Sequence, residues 1–236
     1  MSAAREWLKQ ARSDAVLTGA GVSAESGVPT FRCADGLWKR HRAESLATPE
    51  AFARDPKLVW EWYDWRRSVL SDVKPNAGHY ALAQLEKRTP SFTLITQNVD
   101  GLHELAGSCN VQRVHGSIWM LRCRACGDEQ EDRRTPLPEI PPRCACGGML
   151  RPGVVWFGEA LPRAVWQASE AAARSCDLLL VIGTSAVVYP AAGLARLAKA
   201  SGARVVEINV AETPLSREID EFLLGPSGEL LPRLIA

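Results

Sequence analysis

Two cysteine pairs carry the most legible chemistry in the chain. Cys123-Arg124-Ala125-Cys126 and Cys144-Ala145-Cys146-Gly147-Gly148 form two knuckles, each closed by glycine. Thiolates paired at this spacing wrap a single tetrahedral Zn²⁺. The second pair is C-x-C rather than the commoner C-x-x-C, which tightens the knuckle without excluding the site. All four thiols are used as ligands, so no position is left open for a catalytic water. The metal expected here is therefore structural, and it holds together a module too small for a core of its own.

A second set of residues suits a nucleotide. Gly19, Gly21 and Ala24 follow the apolar run Ala15-Val16-Leu17 and fit the G-x-G-x-x-G/A pattern of a strand-to-helix turn. Glycines there let backbone N–H groups approach a pyrophosphate, and a helix N-terminus favours its charge. Taken alone, the triplet equally fits a plain tight turn. Thr96-Gln97-Asn98-Val99-Asp100 ends another apolar run, the edge at which open α/β sheets bind ligands. Gln97 and Asn98 can donate and accept amide hydrogen bonds, and Asp100 can accept from a carboxamide NH₂. A turn rich in polar capping residues has the same composition. His115, in Val114-His115-Gly116-Ser117, titrates near neutral pH and can remove a proton from a hydroxyl. His41, His79 and His103 are read as structural.

Tyr63 and Arg66, in Trp62-Tyr63-Asp64-Trp65-Arg66-Arg67, stand three apart and face the same way on a helix. A planar guanidinium fork beside a phenol O–H is a receptor for a carboxylate. The plain alternative is a solvated helix face carrying an extra arginine.

The elements that must position these groups follow from the apolar pattern. Runs around Ala15 to Leu17, Phe92 to Thr96, Leu178 to Ile182 and Val205 to Ile208 read as buried strands. Segments of helical spacing lie between them, at Pro56 to Leu70, Gly78 to Lys87, Ala164 to Ala173 and Pro190 to Ala200. This alternation predicts an α/β fold with a doubly wound, mostly parallel, Rossmann-like sheet. The sheet domain is expected from residues 1–35, 77–116 and 152–236. A helical insertion at 36–76 and a small zinc-binding module at 117–151 interrupt it.

Composition bounds the function. The chain has 236 residues, Lys+Arg 28 against Asp+Glu 27, and a net charge of +1. Near-neutrality argues against a general nucleic-acid binder. The longest aliphatic run, Leu178-Leu179-Leu180-Val181-Ile182, is too short to span a bilayer, so no membrane role is expected. The N-terminal stretch around Trp7 and Leu8 reads as an amphipathic helix rather than a signal peptide. Clustered cysteines without a secretion signal suggest metal ligation in a reducing, cytoplasmic compartment. Cys33, Cys109 and Cys176 are read as bystander thiols, and nothing demands more than a monomer.

The run from Thr18 to Arg32 resembles the opening motif of the sirtuins, the NAD-consuming protein-lysine deacylases. Thr96 to Asp100 matches that family's T-Q-N-[IV]-D at every position, and His115-Gly116 matches its catalytic histidine. The resemblance extends from Gly19 to about Ser227 in family order. It implies that NAD lies against Gly19, Ala20, Gly21, Ser23 and Glu25, with Phe31, Arg32 and Trp38 closing over it. Gln97, Asn98, Val99 and Asp100 would hold the nicotinamide and its ribose. Gly183, Thr184 and Ser185 would meet the phosphates, with Asn209 on the adenosine ribose and Ser227 on the adenine side.

The same resemblance places Val154-Val155-Trp156-Phe157-Gly158-Glu159 in the cleft, as a backbone edge for an acylated-lysine peptide. By this match the Val155 carbonyl accepts from the lysine Nε–H, and Phe157 walls the tunnel. The residues alone fit an ordinary core strand as well. The Y-x-x-R pairing of Tyr63 and Arg66, with a small Ala47 nearby, is similar to the subgroup that removes succinyl or malonyl groups. The implied mechanism begins with attack of the acyl oxygen on the nicotinamide ribose. His115 then activates a ribose hydroxyl, and the products are lysine, nicotinamide and O-acyl-ADP-ribose. NAD would be a consumed co-substrate and Zn²⁺ structural. Alternative readings are a mono-ADP-ribosyltransferase using the same cleft, or a non-catalytic NAD-sensing zinc-ribbon regulator.

Overall fold

In a computed structural model, residues 2–29, 37–38 and 41–236 are described. Phe31 and Arg32 lie outside them, and Trp38 is described only as backbone. Among the described residues the elements run α1 (Ser2–Gln10), β1 (Ser13–Thr18), α2 (Gly21–Ala24), β2 (Leu37–Trp38), β3 (His41–Arg42) and α3 (Ala43–Leu46). Next come α4 (Pro49–Arg54), α5 (Pro56–Ser71), α6 (Ala77–Arg88), β4 (Ser91–Thr96), α7 (Leu102–Leu105) and β5 (Val111–Arg113). The chain continues through β6 (Gly116–Cys123), β7 (Glu129–Glu131), β8 (Leu150–Val154), α8 (Arg163–Ser175) and β9 (Leu178–Ile182). It closes with α9 (Gly193–Ala200), β10 (Arg204–Asn209), β11 (Glu221–Leu224) and α10 (Ser227–Ile235).

The main sheet has the order β11-β10-β9-β1-β4-β5, with every neighbouring pair parallel. From β1 the chain winds one way to β4 and β5, then returns to β9 on the other side of β1. A crevice opens at such a reversal, outside the carboxyl ends of the strands. Thr18 pairs with both Thr96 and Ile182. The three central strands therefore end level, and the turns after them converge at one edge.

Helices cover both faces, and β1 records this residue by residue. Val16 packs in a core with Leu82, Leu94, Leu180 and Leu231. Ala15 and Leu17 face the opposite core with Ala173, Leu179 and Leu194. Burial on both faces explains why the central strands read as unbroken apolar runs. The expected strands and helices are present, although α9 starts at Gly193 rather than Pro190. The edge strands β5 and β11 were not expected. They are short and half-buried, so neither an apolar run nor a clean alternation marks them.

The second lobe is organised differently from two separate insertions. Helices α3 to α5 and the β7-β6-β8 sheet share one core, with Phe52, Trp60, Trp62 and Tyr63 against Ile118, Leu121, Leu150 and Trp156. Trp60 Nε1 donates to the Leu150 carbonyl at 2.9 Å, and Asp64 Oδ1 accepts from Leu137 N–H at 2.8 Å. Arg67, fully buried, donates to the backbone oxygen of Asp132. Each insertion thus supplies the apolar surface that the other lacks. Among the described residues no helix is long and apolar enough to cross a membrane.

The β-prone run from Val154 to Glu159 is a strand only as far as Val154, which corrects the core-strand alternative. Beyond it, Glu159 Oε2 accepts from Trp156 N–H at 2.8 Å, and Gly158 has φ +85°. The segment turns out of the sheet, leaving Phe157 about half exposed at 51 %.

Candidate functional site

The glycine turn is built by close contact between two strand ends. A Cβ on Gly19 would lie 2.8 Å from Thr184 Cα, and one on Gly21 would lie 2.7 Å from the Gly183 carbonyl oxygen. Gly19 N–H donates to Ile182 O and Gly21 N–H to Gly183 O. Both glycines therefore let the turn after β1 seat against the turn after β9, and their own N–H groups serve that contact. Ala20, half-buried, lies between them. Gly183 itself has φ +58°, a conformation that side chains disfavour.

A buried polar network lies behind this turn. Ser23 Oγ donates to Asp100 Oδ2 at 2.8 Å and accepts from Asn98 Nδ2 at 3.2 Å. Asn98 Nδ2 also reaches Gly19 O at 3.1 Å, and Asp100 Oδ1 accepts from Leu102 N–H at 2.9 Å. Burial pushes the Asp100 carboxyl above its usual range, and the bonds from Leu102 and Ser23 oppose that rise. Gln97 Nε2 donates to Thr184 Oγ1 at 3.0 Å. Thr184 O accepts from Asn209 Nδ2 at 2.7 Å, so the turns after β4, β9 and β10 form one hydrogen-bonded rim. Ser185 is half-buried in the middle turn.

His115 Nδ1 lies 3.1 Å from the Gln97 carbonyl oxygen. A carbonyl only accepts, so Nδ1 must carry the proton and Nε2 is left with the lone pair that a general base requires. Burial lowers the pKa of His115, and the Gln97 carbonyl partly restores it. The backbone at His115 also holds the segment that follows β8, because Val155 N–H donates to His115 O at 2.9 Å. Val99 O accepts from Ile118 N–H, which ties the same loop to the second lobe.

At the start of α10, Glu25 Oε1 accepts from Ser227 Oγ at 3.1 Å and from Gly228 N–H at 2.8 Å. Glu25 thus caps α10 from outside and fixes Ser227 beside the glycine turn. Across the cleft, Phe157 N–H donates to Ala47 O at 3.0 Å. Tyr63 is fully buried, and its Oη accepts from Trp156 Nε1 at 2.9 Å. The Arg66 guanidinium sits 5.7 Å from the Tyr63 ring centroid and 5.0 Å from that of Trp62. Burial pulls Arg66 below the usual guanidinium range, against the opposing influence of Tyr63 and Asp100.

The sulfur atoms of Cys123, Cys126, Cys144 and Cys146 all lie within 4.8 Å of one another. Four thiolates around tetrahedral zinc stand about 3.8 Å apart for Zn–S bonds near 2.3 Å. The observed 3.5 Å for Cys123–Cys146 and 3.8 Å for Cys126–Cys144 fit that geometry. Gly127 and Gly147 have φ of +78° and +83°, where a glycine is needed to turn each knuckle. Among the other cysteines, Cys109 is exposed and Cys176 buried.

His79 and His103, read as structural from the sequence, are buried directly behind the network; the groups they support were not legible there. Their rings are 4.8 Å apart. His79 Nε2 lies 3.4 Å from Ser23 Oγ, and His103 Nε2 lies 3.0 Å from Thr18 Oγ1. The available signal was Asn76 followed three residues later by His79, a capping box. Asn76 Nδ2 in turn donates to Val22 O and Ser26 Oγ.

The site thus combines a Rossmann-like parallel sheet, a polar rim at its switch point and a four-cysteine lobe. Residues 19–190 match the Sir2 family model, and the chain belongs to the Sir2 family. It is 56% identical over 229 residues to "NAD-dependent protein deacylase 2" of Pyrobaculum aerophilum, covering 97% of this chain and 92% of that protein. A Sir2 homolog solved as an NAD complex superposes with TM-score 0.94 at 47% identity, covering 100% and 92%. A Sir2 protein bound to acetylated peptide matches with TM-score 0.89 at 28% identity, covering 100% and 97%.

Proposed function

We propose that this chain is an NAD-dependent protein-lysine deacylase that accepts acidic acyl groups, succinyl and malonyl, as well as acetyl. Kinship with NAD-dependent protein deacylases supports the general reaction. The acidic preference rests on one observation. Tyr63 Oη accepts from Trp156, so its own O–H remains to donate, and the Arg66 cation lies beside it. A carboxylate reaching this pair gains a charge-assisted hydrogen bond worth roughly 1.5–3 kcal/mol, about 10- to 150-fold in selectivity.

NAD, the consumed co-substrate, would lie across the rim formed by the turns after β1, β4, β9 and β10. Asn98 and Asp100 present amide and carboxylate groups to its nicotinamide end, with Gln97 beside them. The Thr184 and Asn209 turns face its phosphates and adenosine. His115 takes a proton at Nε2 from a ribose hydroxyl. The Val155 carbonyl, set by its neighbouring bond to His115, accepts from the lysine Nε–H, while exposed Phe157 covers the acyl chain. Zinc held by the four thiolates would supply structure rather than chemistry. Unpaired thiolate ligands of this kind suit a reducing, cytoplasmic setting.

The test is steady-state turnover of one peptide carrying acetyl-, succinyl- or malonyl-lysine, with and without NAD. The proposal expects NAD-dependent release of free lysine from all three, with kcat/KM for at least one acidic acyl group above that for acetyl. Transfer of ADP-ribose to protein without deacylation would overturn it.

A further inference from the structure

Trp156 connects the edge of the metal lobe to the phenol of Tyr63. The residue is 3 % exposed, and its ring is held on several sides. The Arg151 guanidinium lies 3.5 Å from the ring centroid, a cation–π stack at short range. Arg151 is itself clamped by both carboxylate oxygens of Glu159, at 2.5 and 2.9 Å, and by Val154 O at 2.9 Å. Glu159 Oε2 also accepts from Trp156 N–H. Phe52 packs against the ring with centroids 5.1 Å apart. The indole N–H leaves this clamp in one direction, toward Tyr63 Oη.

A phenol offers one donor and two lone pairs. Trp156 occupies a lone pair, and the neighbouring Arg66 is a donor-only group, so neither can accept the Tyr63 proton. We infer that Trp156 is a positioning residue for acyl selectivity: its clamped indole N–H holds Tyr63 with the O–H turned toward an incoming carboxylate. The inference rests on the acidic-acyl reading of Tyr63 and Arg66. A bond donated to a hydroxyl oxygen also strengthens that hydroxyl as a donor. Trp156 therefore favours carboxylated acyl groups without touching them, and a neutral acetyl group gains nothing from it.

Trp156→Phe keeps an aromatic ring, though a smaller one, and deletes the N–H. It should lower kcat/KM for succinyl-lysine peptide roughly 3- to 10-fold, through KM rather than kcat. Deacetylation should stay within about 2-fold. In a Tyr63→Phe background the same substitution should no longer change the succinyl-to-acetyl ratio, because the hydroxyl through which it acts is gone. Equal loss of both activities, or a selectivity effect that survives in Tyr63→Phe, would overturn the inference.

Arg151→Gln, at a half-buried position, gives a second route if Trp156→Phe does not fold. It should shift the ratio the same way by a smaller factor, and an unchanged ratio would count against the clamp. Failure of the underlying reading looks different. A wild-type enzyme without desuccinylation removes both ideas, whereas a selective loss in Tyr63→Phe with no effect of Trp156→Phe removes this one alone.

Discussion

His115 Nδ1 rests 3.1 Å from the carbonyl oxygen of Gln97, and this contact sets the tautomer, while burial more than the contact sets the strength of the base. Burial lowers the histidine pKa from its ordinary value near 6.5. The neutral form is the active one, so activity is lost as pH falls through the lowered value. The acid limb of kcat/KM should therefore have its midpoint below 6.5. His115→Ala should keep the fold and lose about 10²–10⁴ in rate. An acid limb above 7, or substantial turnover in the alanine variant, would contradict the assignment.

Carboxylate recognition gives a second expectation. Tyr63→Phe combined with Arg66→Met should depress desuccinylation by about 10-fold or more while deacetylation changes far less. Comparison of kcat/KM on matched peptides decides it, and parallel losses would exclude the pair as a receptor.

Gly21→Ala tests the seating of the two turns. The added methyl would come 2.7 Å from the Gly183 carbonyl oxygen, against backbone that has no room to yield. The expected cost is about 1–3 kcal/mol in denaturant unfolding, with KM for NAD raised more than KM for peptide.

Acid should loosen the protein through its buried histidines. Desolvation lowers His79 to about 4 and His103 to about 3. Between those values and the unfolded value near 6.5, the unfolded chain binds more protons, so stability falls as pH falls through that window. From pH 7 to pH 5 the two together cost about 4 kcal/mol. Asp14 works in the opposite sense, because its pKa is raised by burial to about 6, and it returns roughly 1 kcal/mol over the same range. His115, also lowered by burial, adds to the loss and Asp100, also raised, offsets part of it, so unfolding free energy should be lower at pH 5 than at pH 7. A flat profile would show that the histidines are not buried neutral.

Cys144→Ser with Cys146→Ser should abolish binding of about one zinc per chain. Because α5 and the metal module share a core, the loss should reach Tyr63 and Trp156. Metal analysis and tryptophan fluorescence would follow it. Retention of zinc by the double variant would refute the ligand set.

The legible parts of this molecule were those in which local chemistry alone forces the outcome. Val16, Leu94 and Leu180 are buried on both faces of the sheet, and an unbroken apolar run records that directly. The cysteine knuckles and the Gln97–Asp100 turn are short, contiguous and chemically specific. The strands at Val111–Arg113 and Glu221–Leu224 escaped notice because an edge strand needs neither length nor apolar character. His79 and His103 read as structural, but what they support was not legible, because it arises from the packing of α6 and α7 against β1, a relation between distant segments. The shared core of the second lobe was hidden for the same reason. Trp60 and Leu150 reveal nothing of each other until the chain is folded.

The bond from Ser227 to Glu25 spans 202 positions of sequence. The flank of the glycine turn is thus secured by a segment far from it in sequence, and Gly228 N–H adds a second bond to the same carboxylate. Damage to the start of α10 should therefore loosen the nucleotide edge at a distance, with no change in the turn's own residues.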